Sequence, residues 1–149
     1  MNRPRRTLGF LLRDIVSEES LLAAVARVLT LQMHQVCLLE AESCDDAVVY
    51  VEYHGHAAGF RTDVTLYVNE QGLQAPIDEI QLTMNFARHF AQDIIISPSG
   101  AVGGRTLRPY EWLLVKPSGE LFVVPEVSPS GDDVIIDDRP SQLEQISVS

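Results

Sequence analysis

The chain has 149 residues and a formal charge of −10 at pH 7, with 46% hydrophobic and 21% charged residues. These values are typical of one globular domain that buries its own core without metal ions or disulfides. The acidic balance argues against a non-specific nucleic-acid binder, because neutralising phosphates requires clustered Lys and Arg. No segment approaches the roughly twenty apolar residues of a membrane span, so we expect neither a nucleic-acid nor a membrane partner.

Basic and acidic residues are separated along the chain. Residues 1–13 contain four arginines and no acid, whereas the chain from Asp14 onward contains seven basic and twenty-one acidic residues, a net charge of −14. Two cysteines, Cys37 and Cys44, match no zinc or redox spacing, so we expect free thiols in a reducing compartment. The basic start is not followed by an apolar run as long as that of a secretory signal. We therefore expect a cytoplasmic protein.

The first half of the chain predicts one helix and three strands. Ser17, followed by two glutamates, is typical of a helix start, and apolar residues at helical spacing predict a helix over 18–31. A short apolar run predicts a strand over 36–42. The stretch 47–69 predicts two further strands joined by a loop, with the clearest period-two alternation in its second strand.

The second half predicts another helix and a hairpin. Pro76 marks a helix start, and a broad apolar stripe follows it. Strands are expected at 93–97, 110–115 and 120–125, the last two joined by a turn that contains Pro117 and Gly119. From residue 126 the composition shifts to Ser, Pro, Gly and acidic residues, which is typical of a flexible segment.

These elements predict an α+β fold with a mainly antiparallel sheet of five to six strands and two helices packed on it. Residues 1–16 are expected to form a basic N-terminal arm and lead-in, 17–125 a single α+β domain, and 126–149 an acidic flexible tail. The Gly-rich segment 97–106 lacks the lysine and the following helix of a nucleotide-binding loop, so it predicts a linker between strands.

Two histidines offer a metal-dependent alternative. His54 and His56 flank Gly55 at the end of a predicted strand, where alternation puts both rings on one side, and imidazole suits zinc or copper. A closed site needs two more ligands, which the sequence does not arrange in a recognised spacing. No nucleophile motif is present either. We therefore expect no catalytic residue and no cofactor.

Acidic residues cluster where basic residues are missing. Arg27 and Arg61 enclose a stretch without Lys or Arg that contains five acids: Glu40, Glu42, Asp45, Asp46 and Glu52. Such a surface projects negative potential and accelerates association with a basic partner. The same residues could instead keep the protein soluble and its sheet edge unaggregated. These five are the candidate partner-binding residues.

The order of elements, with a core helix in APIDEIQLTMNFARHFAQDIIIS and a closing hairpin in RPYEWLLVKPSGELFVV, resembles immunity proteins of bacterial contact-dependent growth inhibition and related polymorphic toxin systems. The resemblance covers 75–124 and the general order of the elements before it. It implies a non-enzymatic protein that binds a cognate toxin domain, often a basic nuclease, and blocks its active site or its access to nucleic acid. The alternatives are a small metal-dependent hydrolase using His54 and His56, and an adaptor or secretion chaperone.

Overall fold

The computed structural model describes residues 5–41, 44–127 and 133–148. Its helices and strands follow in the order β1 (Arg6–Leu12), α1 (Glu18–Val28), β2 (Val36–Leu38), β3 (Val49–Gly55), β4 (Thr62–Val68), α2 (Glu79–Phe90), β5 (Ile94–Ile96), β6 (Glu111–Val115), β7 (Leu121–Pro125) and β8 (Glu144–Ile146). Within these residues no helix combines the length and apolar character needed to cross a membrane.

The eight strands form one sheet in the order β2-β3-β4-β1-β5-β6-β7-β8. The fold is α+β with two helices on a sheet, as the sequence predicts. The prediction of five to six mainly antiparallel strands was wrong, because the sheet has eight strands and is mixed. β2 runs parallel to β3, whereas the other neighbouring strands are antiparallel.

Strand β1 lies in the middle of this sheet, although its residues were assigned to an N-terminal arm and lead-in. It pairs with β4 along its whole length, from Arg6↔Val68 to Leu12↔Thr62. The Arg5 guanidinium donates to the carbonyl of Val48 at 2.9 Å, so this arginine crosses neighbouring strands and holds the end of the sheet together. Residues 1–4 of the expected arm lie outside the described residues.

Side-chain caps fix where both helices begin. The Ser17 hydroxyl accepts from the amide of Ser20 at 3.2 Å at the start of α1, as the sequence predicts. The Asp78 carboxylate accepts from the amides of Ile80 and Gln81, each at 3.1 Å, so α2 begins at Glu79, three residues later than Pro76 indicated. Helix α1 ends earlier than predicted, and Thr30 beyond it has a φ of 56°.

The two helices pack against one face of the sheet and enclose the larger core. Phe86 of α2 is fully buried, and its ring stacks on that of Phe10 in β1 with centroids 4.9 Å apart. The buried side chains of the central strands in this core are Leu8, Phe10, Leu12, Val49, Val51, Val64, Leu66 and Val68. This alternation explains the period-two pattern that the sequence shows in β4.

A smaller core lies on the opposite face of the sheet. It contains Leu11, Phe60, Ile95, Leu114, Val124 and Ile136. Ile136 belongs to the expected flexible tail, yet it is 7% exposed, and β8 pairs with β7 through Val123↔Glu144 and the next two pairs. The part of the tail that the structure describes, 126–127 and 133–148, is therefore anchored to the sheet through Ile136 and β8. Residues 128–132 and 149 lie outside the described residues.

The two cysteines form a disulfide between Cys37 in β2 and Cys44 in the following loop. The expectation of free thiols was therefore wrong, because it rested on motif spacing and not on where the chain brings the sulfurs. The bond closes a short loop with a sequence separation of 7. Restricting the unfolded chain to such a loop stabilises the fold by about 2 to 3 kcal/mol in the chain-entropy picture.

Replacing Phe86 with Ala tests the packing of α2 on the sheet. We expect the free energy of unfolding to fall by about 3 to 5 kcal/mol, because a fully buried ring is lost and a cavity remains. Met33→Ala is the control, since Met33 is 55% exposed and its loss should change stability by less than about 0.5 kcal/mol. Urea unfolding measures the free energy of unfolding of each variant, and an equal loss in the two variants would contradict this packing.

Candidate functional site

The candidate acidic residues lie at the β2–β3 end of the sheet. Glu40, Asp45 and Asp46 are exposed in the segment that joins β2 to β3, and Glu52 is half-buried on β3 itself. Glu42 lies outside the described residues. The described members all lie at the β2–β3 side of the sheet but in two groups. Because the two strands are parallel, Glu40 follows β2 beside the far end of β3, near Glu52, whereas Asp45 and Asp46 precede the first residue of β3.

Glu52 differs from the others because it is held by neighbours. The Tyr67 hydroxyl donates to its carboxylate at 2.9 Å, and the His54 Nε2 atom lies 3.9 Å away. The hydrogen bond to Glu52 is the main reason why the pKa of Tyr67 is raised above its ordinary value, with burial acting in the same direction. The Glu52 carboxylate is therefore held in one orientation and is half-buried. Glu40, Asp45 and Asp46 in the β2–β3 segment are more exposed.

Sequence reasoning missed Glu18 as a member of the same surface. The Tyr53 hydroxyl of β3 donates to the Glu18 carboxylate at the start of α1, at 3.0 Å. This hydrogen bond raises the pKa of the Tyr53 phenol, and burial and the charges of Glu18 and Glu40 act in the same direction. Glu18 is 35 residues from Tyr53 along the chain, so only the packing of α1 beside β3 could have identified it.

These side chains surround a pocket of about 220 Å³, lined by Glu18, Leu38, Leu39, Glu40, Val51, Glu52, Tyr53 and His54. Three of the lining side chains are carboxylates. The floor includes Leu39, an apolar residue that is 43% exposed. An apolar surface rimmed by carboxylates suits a long basic side chain, whose aliphatic stem packs while its charged end reaches the acids.

The pocket lies where the pairing of β3 stops on its outer side. β2 pairs with β3 only as far as Leu38↔Val51, and the Leu39 amide makes one further bond to the Val51 carbonyl at 2.9 Å. Among the described residues, no strand pairs with Tyr53 or Gly55 on that side. Unpaired strand edges are sites where another chain can add its own backbone hydrogen bonds.

Arg5 corrects the expectation that no base opposes these acids. Its guanidinium donates to the carbonyls of Val48 and Ala47, and lies 4.7 Å from the centre of the Tyr50 ring. This arginine comes from a distant part of the sequence and stands beside the loop that carries Asp45 and Asp46. One fixed positive charge therefore lies next to the residues that follow Asp45 and Asp46, which counting charges along the chain cannot reveal.

The two histidines have different surroundings. The His54 side chain is 67% exposed, whereas His56 is largely buried, with Nε2 3.7 Å from Asp63 and Nδ1 3.6 Å from Asp133. Within the part of the chain that the structure describes, no group of three His, Cys, Asp or Glu residues is placed to hold a metal ion. The pair therefore receives no support as a metal site.

The Gly-rich segment after β5 contains a structural ion pair. Arg105 donates to Glu111 at 2.8 Å and to Glu144 at 2.9 Å, which ties this segment to β6 and β8. Burial opposes ionisation of Glu111, but bonds from the Arg108 amide and the Arg105 guanidinium hold its pKa below the ordinary value. This basic residue is thus engaged with the protein's own carboxylates.

Comparison with known proteins gives no relative. No protein-family model, no curated protein and no solved structure matches the chain.

Removing the Glu18 carboxylate tests the geometry of the pocket. We expect Glu18→Gln to lower the pKa of Tyr53, because an ionised acceptor that opposes loss of the phenol proton is replaced by a neutral one. Glu19→Gln is the control, since Glu19 lies on the same helical turn and is not among the residues that shift Tyr53. NMR titration of the tyrosine rings measures the Tyr53 pKa in each variant. An unchanged Tyr53 pKa in the Glu18→Gln variant would contradict the contact between Glu18 and Tyr53.

Proposed function

We propose that this protein is a bacterial immunity protein, which binds and neutralises a basic toxin domain through the acidic surface at the β2–β3 end of its sheet. The observation that carries the proposal is the combination of carboxylates and open strand edge around the 220 Å³ pocket. The binding residues are Glu18, Glu40, Asp45, Asp46 and Glu52.

Electrostatic attraction explains how such a surface would find its partner. Clustered charges of one sign raise the association rate by roughly 10- to 1000-fold, with a steep dependence on ionic strength. Asp45 and Asp46 are exposed and supply long-range attraction without needing a fixed geometry. Glu52 is oriented by Tyr67, so it is suited to a directed contact in the final complex.

Neutralisation follows from the chemistry of the target. A nuclease groove attracts phosphate with arginine and lysine side chains, and carboxylates form charge-assisted hydrogen bonds with the same groups. An acidic protein that occupies the groove excludes the nucleic acid by competing for those cations. No reaction is catalysed in this scheme, and the inhibitor and toxin bind one to one.

The adaptor or chaperone alternative uses the same surface for a different partner. The pocket and the strand edge suit any basic segment, so the two functions differ in what the partner does when it is alone. The metal-dependent hydrolase alternative lacks a supporting observation, because His54 is exposed and His56 lies between Asp63 and Asp133.

Co-expression with the product of the neighbouring gene tests the proposal. We expect that product to arrest growth when expressed alone, and we expect the present protein to restore growth and to co-purify with it as a complex. A product that is harmless alone but still co-purifies would favour the adaptor or chaperone. Toxicity that the present protein does not relieve would contradict the immunity function.

Charge reversal tests the role of the surface. We expect Asp45→Lys with Asp46→Lys to slow association with the toxin by more than tenfold at low salt, because the steering potential is reversed. The single change Glu120→Lys in the turn before β7 is a control in the other half of the sheet, where the on-rate should fall much less. Stopped-flow experiments at two ionic strengths measure the association rate constant of each variant. An unchanged association rate in the double variant would exclude Asp45 and Asp46 from the binding site.

A cytoplasmic location is part of the proposal, and the disulfide argues against it, because cytosolic reductants keep most thiols reduced. Trapping thiols with an alkylating reagent at the moment of lysis tests this point. A cytoplasmic location predicts that Cys37 and Cys44 are reduced in the native host and become alkylated, because cytosolic reductants open most disulfides. Protein that resists alkylation until a reductant is added would place it in an oxidising compartment.

A further inference from the structure

A cleft opens inside the sheet between β1 and β5. β1 is paired with β4 over seven residues but with β5 only at Leu11↔Ile95 and Leu12↔Ile94. β5 ends at Ile96, so the first half of β1 has no partner strand on this side among the described residues. The resulting cavity measures about 490 Å³, which is within the range of pockets that hold ligands.

Backbone groups of β1 point into this cleft. The Arg13 amide donates to the Asp93 carbonyl at 3.2 Å on the β5 side. Since hydrogen-bonding groups of an antiparallel strand alternate in direction, the N–H and C=O groups of Leu11, Gly9 and Thr7 face the same way. Leu11 is paired with Ile95, but Thr7 and Gly9 are beyond the pairing and both are exposed. They form a short unpaired strand edge.

Gly9 is not required by the protein's own packing. A glycine weakens the interior of a strand, yet the register of β1 with β4 continues through Gly9 without a bulge. A Cβ added there would contact only the Val64 carbonyl oxygen, at 3.8 Å, which is an ordinary distance. Glycine in a strand also occurs where another backbone or a ligand approaches closely, and the open space over Gly9 fits that explanation.

The lining of the cleft defines the chemistry of an occupant. Leu8, Phe10, Leu11 and Trp112 supply apolar walls, and Asp63 and Glu79 supply carboxylates. The positive charge of Arg6 is opposed by Glu70 at 3.5 Å. A segment that fits must therefore be extended, carry a bulky apolar side chain over Gly9, and carry basic side chains for the carboxylates.

We infer that this cleft accepts an extended basic segment of a partner protein, which adds to β1 as a strand and places an apolar side chain between Gly9 and Trp112. Backbone pairing at Thr7 and Gly9 supplies affinity, and the side-chain contacts supply specificity. The site is separate from the acidic surface at the β2–β3 end and does not depend on the function proposed for that surface.

Amide hydrogen exchange on the full-length protein tests the inference. In the free protein, we expect the amides of Thr7 and Gly9 to exchange at least tenfold faster than those of Leu8 and Phe10, which face β4. The probe is the capped peptide Lys-Val-Phe-Val-Lys. At saturation we expect it to slow exchange at Thr7 and Gly9 at least tenfold, whereas protection at the β3 edge alone would overturn the inference.

Two altered probes separate strand addition from charge attraction. The same peptide with N-methylated backbone amides keeps its charge but cannot complete a ladder, and it should bind at least tenfold more weakly. The peptide Glu-Val-Phe-Val-Glu should not bind, because it meets Asp63 and Glu79 with like charge. Equal binding of the methylated and unmethylated peptides would overturn the inference.

A matched pair of glycine variants locates the site. We expect Gly9→Val to keep the fold, since there is room for a side chain, and to weaken binding of the basic peptide at least tenfold by filling the space over β1. Gly100→Val is the control, because an added Cβ at Gly100 meets nothing within 4 Å and Gly100 does not line the cleft. Three results would each overturn the inference. The first is slow amide exchange at Thr7 and Gly9 before the peptide is added, and the second is no binding at millimolar peptide. The third is that the Gly9→Val variant binds the peptide as tightly as the unchanged protein.

Discussion

Two residue pairs, Leu11 with Ile95 and Leu12 with Ile94, join the two halves of the sheet. On one side of this junction lie β2, β3, β4 and β1, and on the other lie β5 to β8. Leu12 and Ile94 are fully buried beneath the helices, and Ile95 is buried in the smaller core on the opposite face. Few hydrogen bonds therefore join the two halves of the sheet, and the junction is stabilised mainly by the burial of apolar side chains on both faces.

Charged side chains reinforce the junction at the end away from the cleft. Arg13 follows β1 and donates to Asp93 at 2.9 Å, and its guanidinium lies 4.6 Å from the centre of the Phe60 ring. Asp93 also accepts from Lys116 of the β6–β7 turn at 3.3 Å. One carboxylate thus holds a cation from each half of the sheet, which fixes the halves at this end while the strands separate at the other.

Both candidate binding surfaces are consequences of incomplete strand pairing. β2 is only three residues long, so the far end of β3 is open beside Glu40 and Glu52. β5 is equally short, so the first half of β1 is open beside Asp63 and Glu79. In each case backbone groups without a strand partner adjoin carboxylates. The same class of partner, a basic extended segment, suits both surfaces for the same physical reason.

Local patterns in the sequence predicted the elements whose signals are themselves local. Ser17 caps α1, the alternation of β4 is that of a strand with one buried face, and the apolar stripe of α2 packs on β1. The sequence did not predict strand β1 because its last three residues, Phe10, Leu11 and Leu12, are all buried. Apolar and polar residues therefore do not alternate at the end of this strand. Strand β8 was missed because Glu144 and Gln145 give no apolar signal.

The site residues that sequence reasoning missed are those defined by contacts between distant parts of the chain. Glu18 meets Tyr53 only because α1 packs beside β3, and Arg5 meets Tyr50 only because β1 lies two strands from β3. The disulfide similarly follows from the loop that returns Cys44 to β2. Charge counting along the sequence found the acids of one loop but not the fixed arginine beside them.

The central claim is that a basic partner binds at the β2–β3 end of the sheet. Hydrogen exchange of the complex with the neighbouring gene's product, compared with the free protein, measures this most directly. We expect new protection at Tyr53 and Gly55, whose amides lie on the unpaired edge of β3 beside the acidic pocket. Protection confined to α2 and β8, with these two amides unchanged, would contradict binding at this end of the sheet.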